Sequence, residues 1–531
     1  PTCATIDQQL AVEKILNVVK GHRRRPLVLT SDRGRGKSSA LGIAAAELLR
    51  QGVQRIVVTA PRLAAASALF EMLAQQFPDA THNKGRCQID SAEVVFFSPD
   101  YLSLQKESAD LLIVDEAAAI PASLLLKLLK RYSRIVFVTT VHGYEGHGRG
   151  FAVRFCQILN QQTPGWQQLE METPIRWAKN DPLEAFVFDA LLLKTHPTDS
   201  QQLAGLDVAD CEMVRLNRNQ LAANEKMLTE LFGLLVIAHY QTSASDLRQL
   251  LDDSDITVYA AITKENHIAA TALVLDEGNL DTELEDQIRQ GSRRLKGHLC
   301  AQTLAAHLGL SDVAELSSRR IMRIAVHPDL QLRGLGAALL EKITADAQAE
   351  GMDYLASSFG ITTGLLNFWR KTGFSVVKIG TQRNAASANY SGLLVSALSL
   401  AGQRMLEQAR SRFVQIFPQL LQEDLASLDA ETCIALAKGL PGIPLTAEDR
   451  QALAEFANTA RSYVATLPEL MRLSHLALNS GDEKNLTHGL LIMKLLQKRS
   501  WSEIAEQRQL TGKSQAVEQL REAVNKSLKR F

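Results

Sequence analysis

The sequence lacks any C-x-x-C pair: its six cysteines (Cys3, Cys87, Cys156, Cys211, Cys300, Cys433) are scattered over 531 residues. That argues against a zinc site and against a disulfide framework, and fits a reducing, cytoplasmic setting. It lacks net charge, with 58 basic and 58 acidic residues. Bulk charge therefore does not announce a nucleic-acid binder, and any such surface must be local. It lacks a long hydrophobic run: stretches such as "LFGLLVIAHY" (231–240) are too short to span a bilayer, and no signal peptide opens the chain. No membrane partner is expected. Internal repeats and low-complexity tracts are absent as well. What is there is an ordinary globular composition, 46% hydrophobic, at a length that calls for several domains.

Three patterns follow one another. From Leu27 to about Arg176, apolar β-branched runs at 27–30, 55–60, 93–97, 111–116 and 134–140 alternate with helical stretches. Near-continuous apolar strands separated by helices predict a parallel sheet covered on both faces. From about Asp210 to Leu400 the pattern is mixed: helical segments at 220–240 and 243–252, a hairpin "ITVYAAIT-KENH-IAATALVLD", then strands at 319–326, 352–359 and 374–380 around two helices. From about Ala401 nearly everything reads helical, broken at Pro441 and Pro444, with Thr446 a candidate N-cap. The expected boundaries are 1–205, 206–400 and 401–531.

"LVLTSDRGRGKSSALG" joins a buried strand to a helix through a glycine loop. It approximates G-x-x-x-x-G-K-[ST], but Ser31 stands where the first glycine belongs. The backbone N–H groups of Ser31, Asp32, Arg33, Gly34, Arg35, Gly36, Lys37, Ser38 and Ser39, at a helix N-terminus, would cradle the phosphates of ATP or GTP. Lys37 would reach the β- and γ-phosphates and Ser38 would ligate Mg²⁺. The bland alternative, a surface turn with a chance G-K-S, fits poorly with the strand before it. "LLIVDEAAAIP" (111–121) supplies the second half: Asp115 for Mg²⁺ and Glu116 to polarise the attacking water. The expectation is that these two motifs sit on adjacent strands. "GYEGHGRG" (143–150) carries Arg149, either a γ-phosphate sensor or part of a solvated loop. "TAPR" (59–62) stands where helicase-like ATPases touch nucleic acid. Only one such sheet domain is present, and translocating helicases close two around ATP, so local remodelling is expected rather than processive unwinding.

"RIAVHPDLQLRGLGAALLEKI" holds a second glycine turn of different design, Gln331-x-x-Gly334-x-Gly336, again between strand and helix. It resembles the pyrophosphate loop of GNAT-type acetyltransferases. In that fold Gln331, Leu332, Arg333, Gly334, Leu335, Gly336 and Ala337 would hold the diphosphate of acetyl-CoA, and Ile324, Ala325 and Val326 would offer backbone groups to the acetyl carbonyl and pantetheine. "LLNFWRKTGF" (365–374) resembles a later helix-turn of the same fold. His327, directly after the strand, is either a group that handles the proton or a turn cap before Pro328.

Few families join these two modules. "DRGRGKSSALG", "IVDEAAAIP", "GYEGHGRG", "PIRW" (174–177), "RIAVHPDLQLRGLG" and "SSFGITTGLLNFWRKTGF" resemble the bacterial tRNA(Met) cytidine acetyltransferases over essentially the whole chain. The resemblance implies a multidomain α/β protein: a RecA-like P-loop ATPase or helicase module, a GNAT acetyltransferase domain and a helical C-terminal domain that binds tRNA. It implies ATP-dependent acetylation of N4 of the wobble cytidine in elongator tRNA(Met), with tRNA rather than DNA as the partner. It also implies that Gln8 or Gln9 reads the adenine, that Arg370 lies near coenzyme A, and that a further domain precedes Pro1.

Two local features suit an RNA surface. "RQGSRRLKGH" (289–298) has four basic residues and no acid, and residues 494–531 carry nine basic against four acidic. Solvated helix faces are the bland alternative. Trp501 either stacks a base or packs in a core. Two rival functions stand beside this reading: a protein or small-amine acetyltransferase with a regulatory ATPase, and an RNA-remodelling ATPase whose acetyl-CoA fold only binds RNA.

Overall fold

A computed structural model describes residues 3–105, 107–141, 148–238, 242–384, 389–440, 444–482 and 486–531, with backbone alone for 148–154 and 486. The chain divides into two compact units. One comprises Pro1–Leu273 and Arg323–Leu339; the other comprises Val274–Met322, Leu340–Asn384 and Asn389–Phe531.

The first sheet uses β1 (Leu27–Ser31), β2 (Arg55–Thr59), β3 (Thr81–Asn83), β4 (Arg86–Ile89), β5 (Ala92–Phe96), β6 (Leu111–Val114), β7 (Ile135–Thr140) and β8 (Gln167–Met171), in the order β3-β4-β5-β2-β6-β7-β1-β8. From β5 to β8 every pairing is parallel. Strand residues alternate between faces. Leu27, Leu29, Ile56, Val58, Leu111 and Ile113 pack with the helices Ile6–Lys20, Lys37–Arg50 and Ser67–Gln76. Val28, Val57, Leu112, Val114 and Phe137 pack on the opposite face with Ala122–Arg131 and with Phe155 and Leu159. All five strands predicted in this region form. β3, β4 and β8 escaped the reading because they are short and largely exposed, so their sequences "THN", "RCQI" and "QQLEM" carry no apolar period.

The second sheet uses β9 (Cys211–Leu216), β10 (Ile256–Thr263), β11 (Ile268–Gly278), β12 (Ser317–Val326), β13 (Tyr354–Gly360), β14 (Ser375–Arg383) and β15 (Tyr390–Ala397), in the order β14-β15-β13-β12-β11-β10-β9. The expected "KENH" turn closes with Asn266 in left-handed backbone (φ 61). β12 and β13 pair in parallel from Ser318–Tyr354 to Ile321–Ser357, while β13–β15 and β14–β15 are antiparallel. In the second unit Arg319 is fully buried and is held by Asp276 (2.7 Å) and Glu350 (2.6 Å). The guanidinium thus ties β11 and β12 to the turn that follows the helix Leu335–Ala349.

Beyond Leu400 the described residues are helical. Leu453, Phe456, Leu470, Leu473, Leu495, Leu520 and Val524 form one core. Thr446 caps its helix as expected, with a reciprocal bond from Asp449. Trp501 packs against this core, with the Lys494 ammonium 4.6 Å above its ring. The core alternative for Trp501 is therefore the observed one.

Helix Glu225–Ala238 crosses the segment before β9 so closely that a Cβ on Gly233 would lie 2.3 Å from the carbonyl carbon of His196. That neighbour is backbone, which cannot rotate aside. Gly233→Val is expected to cost about 1–3 kcal/mol by overpacking, read as a lower Tm; an unchanged Tm would show that residue 196 yields.

Candidate functional site

The nucleotide loop starts at the C-terminal end of β1, where ligands bind in open α/β sheets. The missing glycine has a structural reason. Ser31 completes β1 in extended backbone and is fully buried, so no left-handed residue is needed there. The left-handed positions are Gly34 (φ 81) and Gly36 (φ 78). Both are enclosed: a Cβ at Gly34 would lie 2.7 Å from the Trp177 ring, and one at Gly36 would lie 2.3 Å from Ile175 Cδ1. Ile175 N also donates to Gly34 O at 2.9 Å. "PIRW" is thus the floor of the loop, a role the sequence did not signal.

Lys37 opens the following helix and is buried. Its ammonium donates to Ser31 Oγ at 2.9 Å and to Asp32 O at 3.0 Å. Burial pulls its pKa down, and the charges of Glu116, Asp115 and Asp32 oppose that shift. Ser38 Oγ donates to Asp115 Oδ2 at 3.1 Å. The two motifs therefore meet, although their strands are not adjacent as expected: β7 lies between β1 and β6. The loop and the acidic turn bridge that strand at its end. Burial, helped by the Glu116 charge, pushes the Asp115 carboxyl up to about 6. Glu116 sits in left-handed backbone (φ 48), uncommon for a side chain without a turn requirement and frequent at functional sites.

Other predicted residues have different placements. Gln8, not Gln9, touches the loop: it is buried, and its amide donates to Gly36 O at 3.3 Å. Gln9 instead donates to Glu13 on an exposed face. Arg35 is committed to fastening the loop, donating to Glu172 O at 3.1 Å and pairing with Glu184. Asp32 and Ser39 are half-buried beside Lys37 and Ser38, and Arg33 is exposed, as is Arg62 of "TAPR". Residues 142–147 and the Arg149 side chain lie outside the described residues. Among the described residues no cluster of three or more His, Cys, Asp or Glu side chains is placed to hold a metal.

The second loop follows β12. Leu332 (φ 63) and Gly334 (φ 92) are left-handed, and Gly334 O receives the first helical bonds from Ala337 N and Ala338 N, both at 3.0 Å. Leu335 is buried and anchors the helix; Gln331, Leu332 and Arg333 are exposed. Gln331 donates to Val326 O at 3.3 Å. Gly336 and Ala337 lie in the first turn of the helix Leu335–Ala349, where the first amides have no partner within a helix. Ile324, Ala325 and Val326 end β12 as expected.

His327, the candidate proton-handling residue, is engaged within the fold. It is buried, its backbone N donates to Ala269 O at 2.9 Å, its Nε2 contacts Thr198 O at 3.0 Å, and its Nδ1 receives Asp329 N at 3.4 Å. A carbonyl accepts only, so Nε2 carries the hydrogen and Nδ1 the lone pair. Both nitrogens are used internally, and the turn-cap alternative is the observed one. The partner Thr198 belongs to a strap before β9 that sequence reasoning missed. Thr198 Oγ1 also reaches Glu230 at 2.9 Å, Arg333 Nη1 reaches Leu206 O at 3.0 Å, and Val208 lies 3.3 Å from a Cβ built on Gly334. No motif marks these residues, since backbone carbonyls do most of the work.

Arg370 donates to Leu436 O at 3.2 Å, at the C-terminal end of helix Ala430–Ala437. A cation there complements the helix dipole. The "FWRKTGF" turn closes as a Schellman motif, with Gly373 at φ 89, and Trp369 is boxed by Phe359, Phe368 and Phe374.

A P-loop sheet with its acidic partner, together with a mixed sheet carrying a pyrophosphate loop, defines an ATPase module joined to an acetyltransferase module. Family models agree: RNA cytidine acetyltransferase NAT10/TcmA, helicase domain, matches residues 28–194; GNAT acetyltransferase 2 matches 230–346 and 339–399; a tRNA-binding domain matches 402–531. The chain is 45% identical to the tRNA(Met) cytidine acetyltransferase TmcA of Nitrosococcus halophilus, over 98% of this chain and 70% of the relative. It is 39% identical to that of Vibrio cholerae, over 97% and 71%. A similar solved structure, the NatC complex bound to Gag peptide and CoA, covers 36% of this chain and 99% of its own at 14% identity and a TM-score of 0.26. The chain belongs to the tRNA(Met) cytidine acetyltransferase TmcA family. No helix among the described residues is long and apolar enough to cross a membrane.

The raised Asp115 pKa has a linkage consequence. Its carboxyl normally titrates near 3.8 and here near about 6, so the folded state holds this proton more tightly. The stabilisation is present at low pH and is lost as pH rises through about 6. Asp115→Asn should therefore be more stable than the parent protein at pH 8 without nucleotide, by on the order of 3 kcal/mol, and the gain should fall to roughly half near pH 5 and vanish only below the ordinary carboxyl value of 3.8. Urea melts at both values measure it; a gain equal at both would remove burial of the charge as the cause.

Proposed function

We propose that this chain transfers the acetyl group of acetyl-CoA to N4 of the wobble cytidine of elongator tRNA(Met), and that ATP hydrolysis displaces the base for attack. The observation that carries this reading is the presence of two separately built phosphate cradles in a chain of this family. One has a lysine, a hydroxyl and a buried carboxylate; the other has amides alone.

At the first cradle the Lys37 ammonium would move from Ser31 and Asp32 to the phosphates. Ser38 and Asp115, a hydroxyl and a carboxylate 3.1 Å apart, are a donor set suited to Mg²⁺, which takes oxygen ligands and keeps several waters. When bound, Mg²⁺ would neutralise charge on the phosphates. Glu116 would orient the attacking water. Because Mg²⁺ needs the ionised Asp115, whose carboxyl burial pushes up, acid should weaken Mg²⁺ binding and with it nucleotide hydrolysis.

At the second cradle the amides following Gly334 would hold the coenzyme diphosphate, and the backbone of Ile324–Val326 would orient the thioester. Cytosine N4 is a poor nucleophile because its lone pair is delocalised into the ring. Attack forms the N–C bond, expels the coenzyme thiolate and releases one N4 proton. With His327 committed internally, positioning and desolvation are the main contributions of this unit. Reaching N4 in a stacked anticodon loop costs on the order of a few kcal/mol. The cytoplasm, where tRNA is found, is the proposed location.

The direct test is incubation with labelled acetyl-CoA, ATP and total tRNA, followed by nucleoside analysis; absence of N4-acetylcytidine would overturn the proposal. Two substitutions separate the cradles. Lys37→Ala should abolish ATP hydrolysis and leave acetyl-CoA affinity intact. Gly336→Glu places bulk and negative charge against a diphosphate, so it should abolish acetyl transfer while hydrolysis persists. Loss of both activities in either variant would contradict separate sites.

A further inference from the structure

The second unit holds a group of cations that neither cradle uses. Leu295 in the loop between β11 and β12 is pinned by Gln302, whose side-chain amide accepts from Leu295 N at 2.8 Å and donates to Leu295 O at 2.7 Å. That clamp fixes a loop on which Arg293, Arg294 and Lys296 are exposed, and among the described residues none of the three forms an ion pair. The helix carrying Gln302 continues as a single π-turn, Thr303–His307, ending on exposed His307. Such turns are rare and often functional.

A second irregularity faces it. β14 has a bulge between Val376 and Lys378, so that Val376 pairs with Leu394 and Lys378 with Leu393. Residues directly opposite share a face. Leu393 and the bulged Val377 both pack in the cluster that includes Ala305 and Leu308. The bulge therefore turns Lys378 to the face covered by the π-turn, where a regular strand would send it or Val377 to the other. Lys378 is half-buried, and burial lowers its pKa; among the described residues no carboxylate pairs with it. His307 is lowered by partial burial and by the charges of Lys378 and Arg294, which places the three side chains in one neighbourhood. A lysine held away from water without a counter-ion is an unfavourable arrangement unless an anion completes it.

We propose that Lys378, His307 and Arg294, extended by Arg293 and Lys296, form a seat for a backbone phosphate of the RNA substrate on the second unit, outside residues 402–531 where the tRNA-binding domain model lies. This rests on the proposed RNA acetylation. The same phosphate chemistry could come from the 3′-phosphate of coenzyme A, and the test distinguishes the sources.

Lys378→Met keeps the stem's packing and removes the charge. In the full chain, tRNA affinity at fixed salt should fall several-fold, and the slope of log Kd against log salt should shrink by about 0.7–0.9, one phosphate contact. Lys378→Arg should keep most of the slope. Acetyl-CoA and dephospho-CoA affinities should be unchanged in Lys378→Met; a loss confined to acetyl-CoA would assign the seat to the coenzyme and overturn the proposal. The Tm should hold or rise, since an uncompensated half-buried charge is removed. An unchanged tRNA affinity and slope would overturn the proposal outright. Wild-type protein that makes N4-acetylcytidine while Lys378→Met binds tRNA normally would sink this seat alone; wild-type protein that makes none would sink the functional reading.

Discussion

Burial of the Lys37 ammonium is the constraint around which the nucleotide site is arranged. A cation taken out of water must be met by hydrogen-bond acceptors and opposite charge. Ser31 Oγ and Asp32 O supply the first, and Asp115 with Glu116 supplies the second. This explains the departure from the usual glycine spacing. A glycine at residue 31 would give the loop no needed freedom and would remove the hydroxyl that holds the lysine. It also accounts for the buried Asp115, whose raised pKa is the cost of presenting a carboxylate in so dry a place. The loop's rigidity comes from outside its own motif, because Ile175 and Trp177 lie against the two left-handed glycines.

The acetyltransferase motifs within the first unit are organised by a different means. The strap before β9 contributes backbone carbonyls and a hydroxyl to His327, Glu230 and Arg333. These bonds fix the end of β12 and the loop that follows. His327 is a positioning residue here, and its Nε2–H is directed at the Thr198 carbonyl. The strap directly follows, in sequence, the segment that the helicase-domain model matches, residues 28–194.

Zero net charge conceals strong local asymmetry. The basic loop at 293–296 has no acidic partner among the described residues, and the bulge in β14 adds a half-buried lysine on the same unit. The six cysteines, by contrast, stay uncombined in the structure. Burial raises the thiol pKa of Cys300 and Cys433, which makes both poor nucleophiles and fits direct acetyl transfer to the base.

The sequence by itself determined the parallel sheet, the mixed sheet and both glycine loops, because apolar strand runs and glycine spacing are local signals with local physical causes. It determined the Thr446 cap for the same reason. It did not determine β3, β4, β8 or β9, whose exposed or alternating residues carry little apolar contrast, nor β15, whose buried run Leu393–Val395 is short, nor that β7 separates the two ATPase motifs. Tertiary structure alone decided that Gln8 rather than Gln9 contacts the glycine loop, since adjacent residues on a helix differ only in which face the fold covers. It alone decided that His327 caps a turn, because Thr198 lies 129 positions earlier. It alone decided that Lys378 faces a helix, because a bulge changes a strand's alternation without leaving a mark in residue type.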